Sequence, residues 1–164
     1  MDMSSSSVEV RRPRVQSEAF RALVEASRTE GYWMLTRLLA GWRDGSNRFS
    51  RRGEALLGAY VAGELVGLCG LNVDPYVEGK REGRLRHLYV SAGHRRHGVA
   101  RILVRSAIVT ARDHFPALNV RATREAFAFY ETLGFVPVTG QEFMSHRLVF
   151  QPLQRGRVRR KTGQ

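Results

Sequence analysis

The sequence predicts an α/β (α+β) domain in which helices flank a mixed, mostly antiparallel central sheet. Apolar segments with strand character and with helical periodicity alternate along the chain, which favours some parallel neighbours. Two apolar runs, 56–61 and 65–73, are separated by a short turn and predict an antiparallel hairpin, with Gly63 available for the positive-φ position. The 164 residues, 43% of them hydrophobic, suffice for one domain with its own core.

The elements before the hairpin are a strand and two amphipathic helices. The strand covers 8–14, where Pro13 restricts it to a sheet edge or ends it. Ser17 can cap the first helix, and the second helix covers 32–42 with its apolar residues on one face. The elements after the hairpin are a strand over 84–90, a largely buried helix over 98–114, a short strand over 118–122, a helix over 125–133 that Gly134 ends, and strands over 135–138 and 143–150.

The two ends of the chain differ in composition from the rest. Residues 1–7 are serine-rich and are expected to be disordered, residues 8–153 to form the domain, and residues 154–164 to form a basic tail. The formal net charge of +12 favours anionic partners such as phosphates, nucleic acid or an acidic cofactor. A homodimer is compatible with the sequence but is not indicated by any motif.

The composition argues against several classes of protein. The single cysteine, Cys69, cannot form an internal disulfide, and a cysteine-based metal site would need more thiolates. It lies in an apolar run, so we expect a buried strand residue rather than a nucleophile. No apolar run is long enough to span a bilayer, and residues 1–7 lack the apolar segment of a signal peptide. We therefore expect a cytoplasmic protein that binds no metal.

The turn before the helix over 98–114 has the features of an anion site. The first turn of a helix has backbone N–H groups without intrahelical partners and the positive end of the helix dipole. Gly98 and Ala100 are small enough for a diphosphate to approach the backbone, and Arg95 and Arg96 add positive charge beside them. Taken alone, this segment fits the solvated start of a buried helix equally well.

Two motifs together resemble the GNAT superfamily of N-acetyltransferases. The string Leu88-Tyr89-Val90, followed by Arg95-Arg96-His97-Gly98-Val99-Ala100, resembles the family's acetyl-CoA motif, (Arg/Gln)-x-x-Gly-x-(Gly/Ala). Further on, Phe129-Tyr130-Glu131-Thr132-Leu133-Gly134-Phe135 resembles its second signature, a helix carrying Tyr followed by Gly-Phe. The resemblance covers roughly 8–153 and implies the GNAT fold and acetyl transfer from acetyl-CoA to a primary amine.

The resemblance also implies roles for individual residues. The end of the fourth strand, at Leu88, Tyr89 and Val90, would bind the pantetheine arm and the acyl carbonyl through backbone groups. Tyr130 would protonate the leaving thiolate, a task that suits a phenol, although a core aromatic is the simpler interpretation without the family match. Thr123 stands where many members have Asn before the Tyr helix. The turn that would bind the pyrophosphate consists of Arg95, Arg96, His97, Gly98, Val99 and Ala100, with Arg101 nearby.

The general base is the main departure from the family pattern. Many members carry a Glu in the fourth strand, and the corresponding position here is Arg84. Glu82 would face the same side of a regular strand and is one candidate base. His87 is a second candidate because its ordinary pKa of about 6.5 suits proton removal near neutrality, unless it only packs under Tyr89. A member that binds acetyl-CoA but has lost turnover is also compatible with Arg84.

The acceptor site of the family lies between the first two helices and nearby loops, which here are 43–53 and 74–81. Tyr32, Trp33 and Tyr76 are candidate aromatic walls, or they merely close the edge of the core. The acceptor stays open among a small amine, an amino acid, an antibiotic, a peptide or protein amine and an aminoacyl-tRNA. A cationic amine would be held by acidic residues, for which the candidates are Glu30, Asp74, Glu78 and Glu82.

A second hypothesis is a nucleic-acid-associated protein. Its basis is the arginine-rich tail over 154–164 together with Arg11, Arg12 and Arg14, whose phosphate contacts would be independent of base sequence and sensitive to salt. The tail has no interleaved aromatic residues, and a solvated tail is the simpler interpretation. The two hypotheses combine in an acetyltransferase that acts on aminoacyl-tRNA.

Overall fold

The structure is a computed structural model that describes residues 7–152, and its centre is a seven-stranded sheet in the order β1-β2-β3-β4-β5-β7-β6. All neighbouring pairs are antiparallel except β4 and β5, so the mixed, mostly antiparallel sheet predicted from the sequence is confirmed. The strands are β1 (Val8–Arg11), β2 (Ala55–Val61), β3 (Glu64–Val73), β4 (Gly83–Val90), β5 (Ala117–Val120), β6 (Val136–Pro137) and β7 (His146–Val149).

Four helices cover the two faces of this sheet. Two of them, α1 (Glu18–Thr29) and α2 (Met34–Asp44), pack with Phe49 and Tyr89 in one apolar layer. The other two, α3 (Val99–Arg112) and α4 (Phe127–Thr132), contribute to a second layer on the opposite face. The core is therefore split by the sheet, as in other proteins with helices on both faces.

Strands β4 and β5 separate soon after they pair. The parallel register holds at three positions and ends with Leu85 opposite Val120. Among the described residues, the chain over 86–90 continues β4 with β3 on one side and no strand partner on the other. This separation of two parallel strands opens a cleft in the middle of the sheet.

A β-bulge in β4 lies at the mouth of this cleft. Leu68 pairs with Tyr89 and Gly70 with Arg86, so one residue of β3 faces two residues of β4, His87 among them. His87 has φ +58°, an unusual value for a residue with a side chain. Because of the bulge, Arg86 and His87 both project toward the α1–α2 face rather than to opposite faces.

Several local predictions are confirmed. Ser17 caps α1 by accepting a hydrogen bond from the Phe20 amide, and Gly134 follows α4 with φ +95°. The hairpin turn has positive φ at Gly63, and also at Ala62, as the twist of a two-residue hairpin requires.

Element ends and the exposure of one residue differ from the predictions. β1 stops at Arg11 rather than continuing to residue 14. α2 begins at Met34, so Tyr32 and Trp33 lie before the helix and not in it. The last two strands are shorter than expected. α3 is buried or half-buried as predicted except along a narrow stripe of Arg105, Val109 and Arg112, where Val109 is 64% accessible although it is apolar. The terminal segments 1–7 and 154–164 stay predictions, since residues 1–6 and 153–164 lie outside the described part of the chain.

Candidate active site

The amino end of α3 forms the first part of the site. Gly98 precedes the helix with φ +80°, and the first intrahelical bond runs from the Ile102 amide to the Gly98 carbonyl at 3.1 Å. The amides of the first turn consequently have no intrahelical acceptor. They border a cavity of about 290 Å³ lined by Val90, His94, Arg95, Arg96, Gly98, Val99, Ala100, Arg101 and Phe129.

The shape of this cavity suits a diphosphate. A Cβ built on Gly98 meets no atom within 4 Å, so the space beside the backbone is open to a ligand. The positive φ at Gly98 is one that a side chain would strain, and Arg96 shares the left-handed conformation with φ +65°. The free amides and the positive helix end then favour an anion at this point.

The arginines of the turn have different surroundings. Arg95 forms a salt bridge with Glu30 at 2.8 Å and donates from Nε to the Val90 carbonyl, so it ties the turn to α1. Hydrogen bonds from Tyr89 and then Arg95 lower the pKa of Glu30. Arg101 donates to Thr132 in α4, and the side chains of Arg96 and His97 are exposed beside the cavity.

The cleft between β4 and β5 is the second part of the site. It encloses about 210 Å³, and its position follows from the separation of the two strands after Leu85. The cleft brings together two of the three catalytic candidates, Tyr130 and His87, with the strand residue Leu88 and with Thr123. The lining residues are Met34, Leu85, Arg86, His87, Leu88, Val120, Arg121, Ala122, Thr123, Ala126 and Tyr130.

Tyr130 lies on the α3–α4 side of the cleft and is 5% exposed. Its ring packs edge-on against Phe129 and Phe135, which fixes the direction of the hydroxyl. Burial, with a smaller contribution from Cys69, raises the pKa of Tyr130 above its ordinary value. The phenol therefore keeps its proton at neutral pH and can donate it or a hydrogen bond.

His87 lies on the opposite side of the cleft. Its Nδ1 is 3.1 Å from the Met34 carbonyl at the start of α2, so a tautomer with hydrogen on Nδ1 leaves the Nε2 lone pair free. Burial, and then the positive charge of Arg86, lower the pKa of His87 to about 4. The ring is therefore neutral near pH 7. It packs edge-on against the Phe49 ring, whereas the sequence suggested packing under Tyr89.

Glu82 lies at the other end of β4, five residues before His87 or about 15 Å along a strand. It is 2% exposed and accepts two hydrogen bonds from Arg147, at 2.6 and 2.9 Å. Asn119 also approaches it at 3.4 Å. Glu82 thus does not line the cleft, and its oxygens are occupied by structural partners.

Arg84, the position that the resemblance aligns with the family's general base, belongs to the same buried polar cluster. Its guanidinium lies 3.7 Å from Asp74 and donates to the Phe143 carbonyl at 2.5 Å. It also lies over the Tyr76 ring, with its carbon 4.8 Å from the ring centroid. Arg84 therefore joins β4 to the segments before and after it rather than facing the cleft.

The side chain of Tyr89 points away from the cavities and into the α1–α2 layer. Its hydroxyl donates to Glu30 at 2.5 Å, and burial followed by Glu30 raises the pKa of Tyr89 to about 12. Any contact of Tyr89 with a ligand in the cleft would accordingly be made by its backbone. Leu88 and Val90, which flank it, line the cleft and the helix-end cavity respectively.

The three aromatic candidates for the acceptor site do not come together. Tyr32 and Trp33 are about half exposed near the carboxyl end of β4. There the Tyr32 ring packs edge-on against the Tyr89 ring, with the ring centroids 6.2 Å apart. Tyr76 lies beyond the opposite end of that strand and stacks on Phe143 with the ring centroids 4.1 Å apart. A single aromatic box made from all three is therefore excluded by the described structure.

A third cavity of about 380 Å³ lies between the two loops suggested as acceptor walls, and it is bordered by the half-buried Arg86, which the sequence did not single out. The alternation of Arg84 and Arg86 with the apolar residues of the same strand was the available signal. Among residues 7–152 no cluster of histidine, cysteine and carboxylate side chains could hold a metal ion. Over the same residues, no helix has both the length and the hydropathy needed to cross a bilayer.

The chain also matches a family model. The model for the acetyltransferase (GNAT) domain matches residues 43–155. The chain belongs to the GNAT acetyltransferase family. A curated relative is human N-acetyltransferase 8, with 35% identity over 99 residues. That match covers 57% of this chain and 43% of the human protein, so the chain spans less than half of its relative.

Solved structures of the family share the fold. An Exiguobacterium sp. 255-15 protein assigned as an acetyltransferase has 27% identity and a TM-score of 0.75, with 87% of this chain and 93% of that chain covered. Bacillus subtilis N-acetyltransferase YlbP, solved in complex with coenzyme A, has 17% identity and a TM-score of 0.60, over 87% of this chain and 97% of that chain. The PaiA N-acetyltransferase of Thermoplasma acidophilum, also solved with coenzyme A, has 16% identity and a TM-score of 0.63, over 88% of this chain and 99% of that chain.

Proposed function

We propose that this GNAT member is an N-acetyltransferase that transfers an acetyl group from acetyl-CoA to a primary amine by direct attack. The observation that carries the proposal is the sequence of cavities along β4. Val90 borders the cavity at the amino end of α3, and Leu88 borders the cleft that contains Tyr130 and His87. An anionic group and a reacting centre can thus bind to the same short strand end.

The first helical turn of α3 would hold the diphosphate of coenzyme A. The supporting features are the free amides of Val99, Ala100 and Arg101, the open space beside Gly98 and the positive charges of Arg96 and Arg101. The backbone over 88–90, which has no β5 partner, would bind the pantetheine arm and donate to the acyl oxygen. Acetyl-CoA supplies an acetyl thioester, which is activated toward attack by an amine.

Tyr130 is the proposed acid. The amine nitrogen forms a bond to the acyl carbon, the bond from that carbon to sulfur breaks, and the Tyr130 hydroxyl donates its proton to the departing sulfur. The raised pKa of Tyr130 supports this role, because the phenol is protonated whenever the substrates arrive at neutral pH. Solvent returns the proton to the phenol afterwards.

His87 is the proposed acceptor of the proton that leaves the amine nitrogen. The free Nε2 lone pair and the position of His87 in the cleft with Tyr130 support this role. A pKa of about 4 makes His87 a weak base, so the amine must enter the cleft already neutral. Glu82 is the less favourable candidate because it is bound to Arg147 outside the cleft.

A covalent relay through the chain is not part of the proposal. Cys69 is fully buried in β3, and burial raises the pKa of its thiol, which disfavours the thiolate that a nucleophile requires. Direct transfer needs no such group, because the amine itself attacks the thioester.

The test of the cofactor assignment is thermal unfolding with and without acetyl-CoA. A ligand that binds only the folded state at a hundred times its Kd stabilises it by about 2.7 kcal/mol, so we expect a clear rise in Tm. The Gly98→Glu variant should lose this rise, since it places bulk and negative charge where the diphosphate binds. No rise for the folded wild-type protein at millimolar acetyl-CoA would contradict the proposal.

A matched control is available at Gly63. This glycine has the same φ of +80° and the same open space around its Cα, but lies in the β2–β3 turn. The Gly63→Glu variant should therefore lose similar stability and keep the full acetyl-CoA response. Equal loss of the response in both variants would show that backbone strain, rather than the anion site, is responsible.

A further inference from the structure

The third cavity lies between the α2–β2 loop and the carboxyl end of β3. Its volume is about 380 Å³, and it is bordered by parts of both loops that the sequence suggested as acceptor walls. Arg86 borders this cavity and also the catalytic cleft, so the two spaces adjoin at that residue. The lining residues are Gly45, Ser46, Asn47, Arg48, Ser50, Arg51, Glu54, Asn72, Val73, Pro75 and Arg86.

The charge of this cavity is positive. Three arginines, Arg48, Arg51 and Arg86, border it together with one carboxylate, Glu54. The Glu54 side chain is 3% exposed and accepts hydrogen bonds from Asn72 Nδ2 and from the Val73 amide, each at 2.9 Å. Glu54 therefore serves the loop structure and cannot also bind a cationic substrate.

The arginines keep donors available. Within residues 7–152, the guanidinium of Arg86 has no hydrogen-bond or salt-bridge partner. Arg48 uses Nε for the Trp42 carbonyl, and Arg51 approaches Glu54 only to 3.7 Å. Planar guanidinium groups with free N–H donors bind carboxylates and phosphates through paired, charge-assisted hydrogen bonds.

The carboxylates that would instead hold a cationic amine are bound elsewhere. Glu30 is paired with Arg95, Glu82 with Arg147, and Asp74 accepts from Asn119 at 3.0 Å. Of the four acidic candidates from the sequence, Glu78 alone is exposed and without a described partner, and it borders neither the cleft nor the third cavity. The expectation of an acidic acceptor site is therefore not supported by the geometry.

We propose that the acceptor is a small amine that also carries a carboxylate or a phosphate, and that this anionic group binds Arg86 and the adjoining arginines while the amine enters the cleft. The inference rests on the proposed function, because it assigns the substrate class of that same site. The position of Arg86 between the two cavities sets the geometry, since one molecule can contact the guanidinium and reach His87, the next residue along β4.

The test compares matched amines by the rate of coenzyme A release from acetyl-CoA. One arm pairs amino acids with their amides, and the other pairs glucosamine with glucosamine 6-phosphate, so that the arms distinguish a carboxylate from a phosphate. The anionic member of a pair should have a kcat/KM that is about 10- to 100-fold higher, as expected for one charge-assisted pair. An amide has the less basic amine and more of it is neutral at pH 7, so a preference for the acid reports binding of the carboxylate.

The Arg86→Gln variant should remove this preference mainly through KM, while Arg105→Gln, at an exposed arginine of α3, should keep it. A second measurement needs no accepted amine. In protein saturated with coenzyme A, sodium phosphate should raise Tm relative to sodium chloride at equal ionic strength, and Arg86→Gln should lose that rise.

The outcomes separate the two proposals. No response to acetyl-CoA would contradict the proposed function itself. A response to acetyl-CoA together with equal or faster turnover of the neutral amines would overturn the inference about the acceptor. If no amine of the panel is turned over, the phosphate measurement decides, and a Tm rise that Arg86→Gln retains would also overturn it.

Discussion

His87 gives the protein a specific sensitivity to acid. Its pKa is about 4 in the folded state and 6.5 in the unfolded chain, because folding buries the ring beside Arg86. Between these two values the unfolded state binds a proton that the folded state does not, so stability falls as the pH falls. The contribution of neutral His87 is present above pH 6.5 and is lost as the pH decreases toward 4.

The magnitude follows from the two pKa values. Their separation corresponds to about 3 kcal/mol over the whole range, and to about 2 kcal/mol between pH 8 and pH 5. These are upper figures, since the ring borders an open cleft in which water reduces the cost of the charge. Other groups also titrate in this range, so the comparison must be made between variants rather than on the wild type alone.

The assay is urea unfolding of the wild type and of His87→Asn at a series of pH values from 8 to 5. Asparagine is chosen because it tolerates the positive φ at this position better than most residues. The stability difference between wild type and variant should shift by about 2 kcal/mol in favour of the variant as the pH falls to 5.

The control is the same substitution at His114, whose exposed ring lies after the end of α3. Between pH 8 and pH 5, the stability difference between the wild type and His114→Asn should change much less than the difference between the wild type and His87→Asn. Parallel pH curves for the wild type and His87→Asn would refute the reasoning, because they would mean that burial in the bulge does not disfavour the imidazolium.

Further predictions concern the other residues of the site and the buried cluster. Tyr130→Phe should lower kcat by about 10²- to 10⁴-fold with little change in acetyl-CoA affinity. The control Tyr60→Phe, the same change at a buried tyrosine of β2, should leave kcat unchanged. Near-normal turnover without the Tyr130 hydroxyl would exclude that hydroxyl as the acid. His87 and Glu82 substitutions should differ in rate, with turnover lowered for His87→Asn and retained for Glu82→Gln, while the rise of rate with pH that reflects deprotonation of the amine stays in both variants. The reverse order of rates would move the base to Glu82. Cys69→Ala should remain active, and a trapped acetyl-Cys69 would disprove direct transfer. Arg84→Met should lower the free energy of unfolding by about 3 kcal/mol, because the buried Asp74 carboxylate loses its cationic partner. A loss below about 1 kcal/mol in urea unfolding would show that the hydrogen bonds from Asn119 and the Tyr76 amide are enough to stabilise that carboxylate.

Much of the fold was predictable because its signals are local. The hairpin turn at Gly63 and the end of α4 at Gly134 depend on positive φ values that few residues adopt, and the cap at Ser17 depends on a side-chain oxygen that accepts from the Phe20 amide. The Arg95–Ala100 turn was also found from the sequence, because the small residues and the start of a helix stand next to each other in the chain. Its assignment as a diphosphate site and the role of Tyr130 came from the family resemblance and remain proposals.

The tertiary structure alone decided which residues meet. Glu82 and His87 are equivalent candidates in the sequence, but strand register binds the first to Arg147 and the bulge turns the second into the cleft. The two loops at the cavity of Arg86 were expected near the acceptor, but the position of Arg86 beside them was not, since these segments are some thirty residues apart in sequence. Such contacts depend on where β5 leaves β4 and on one extra residue in a strand. Strand pairing over long separations sets both features, and side-chain periodicity along a single strand carries no information about them.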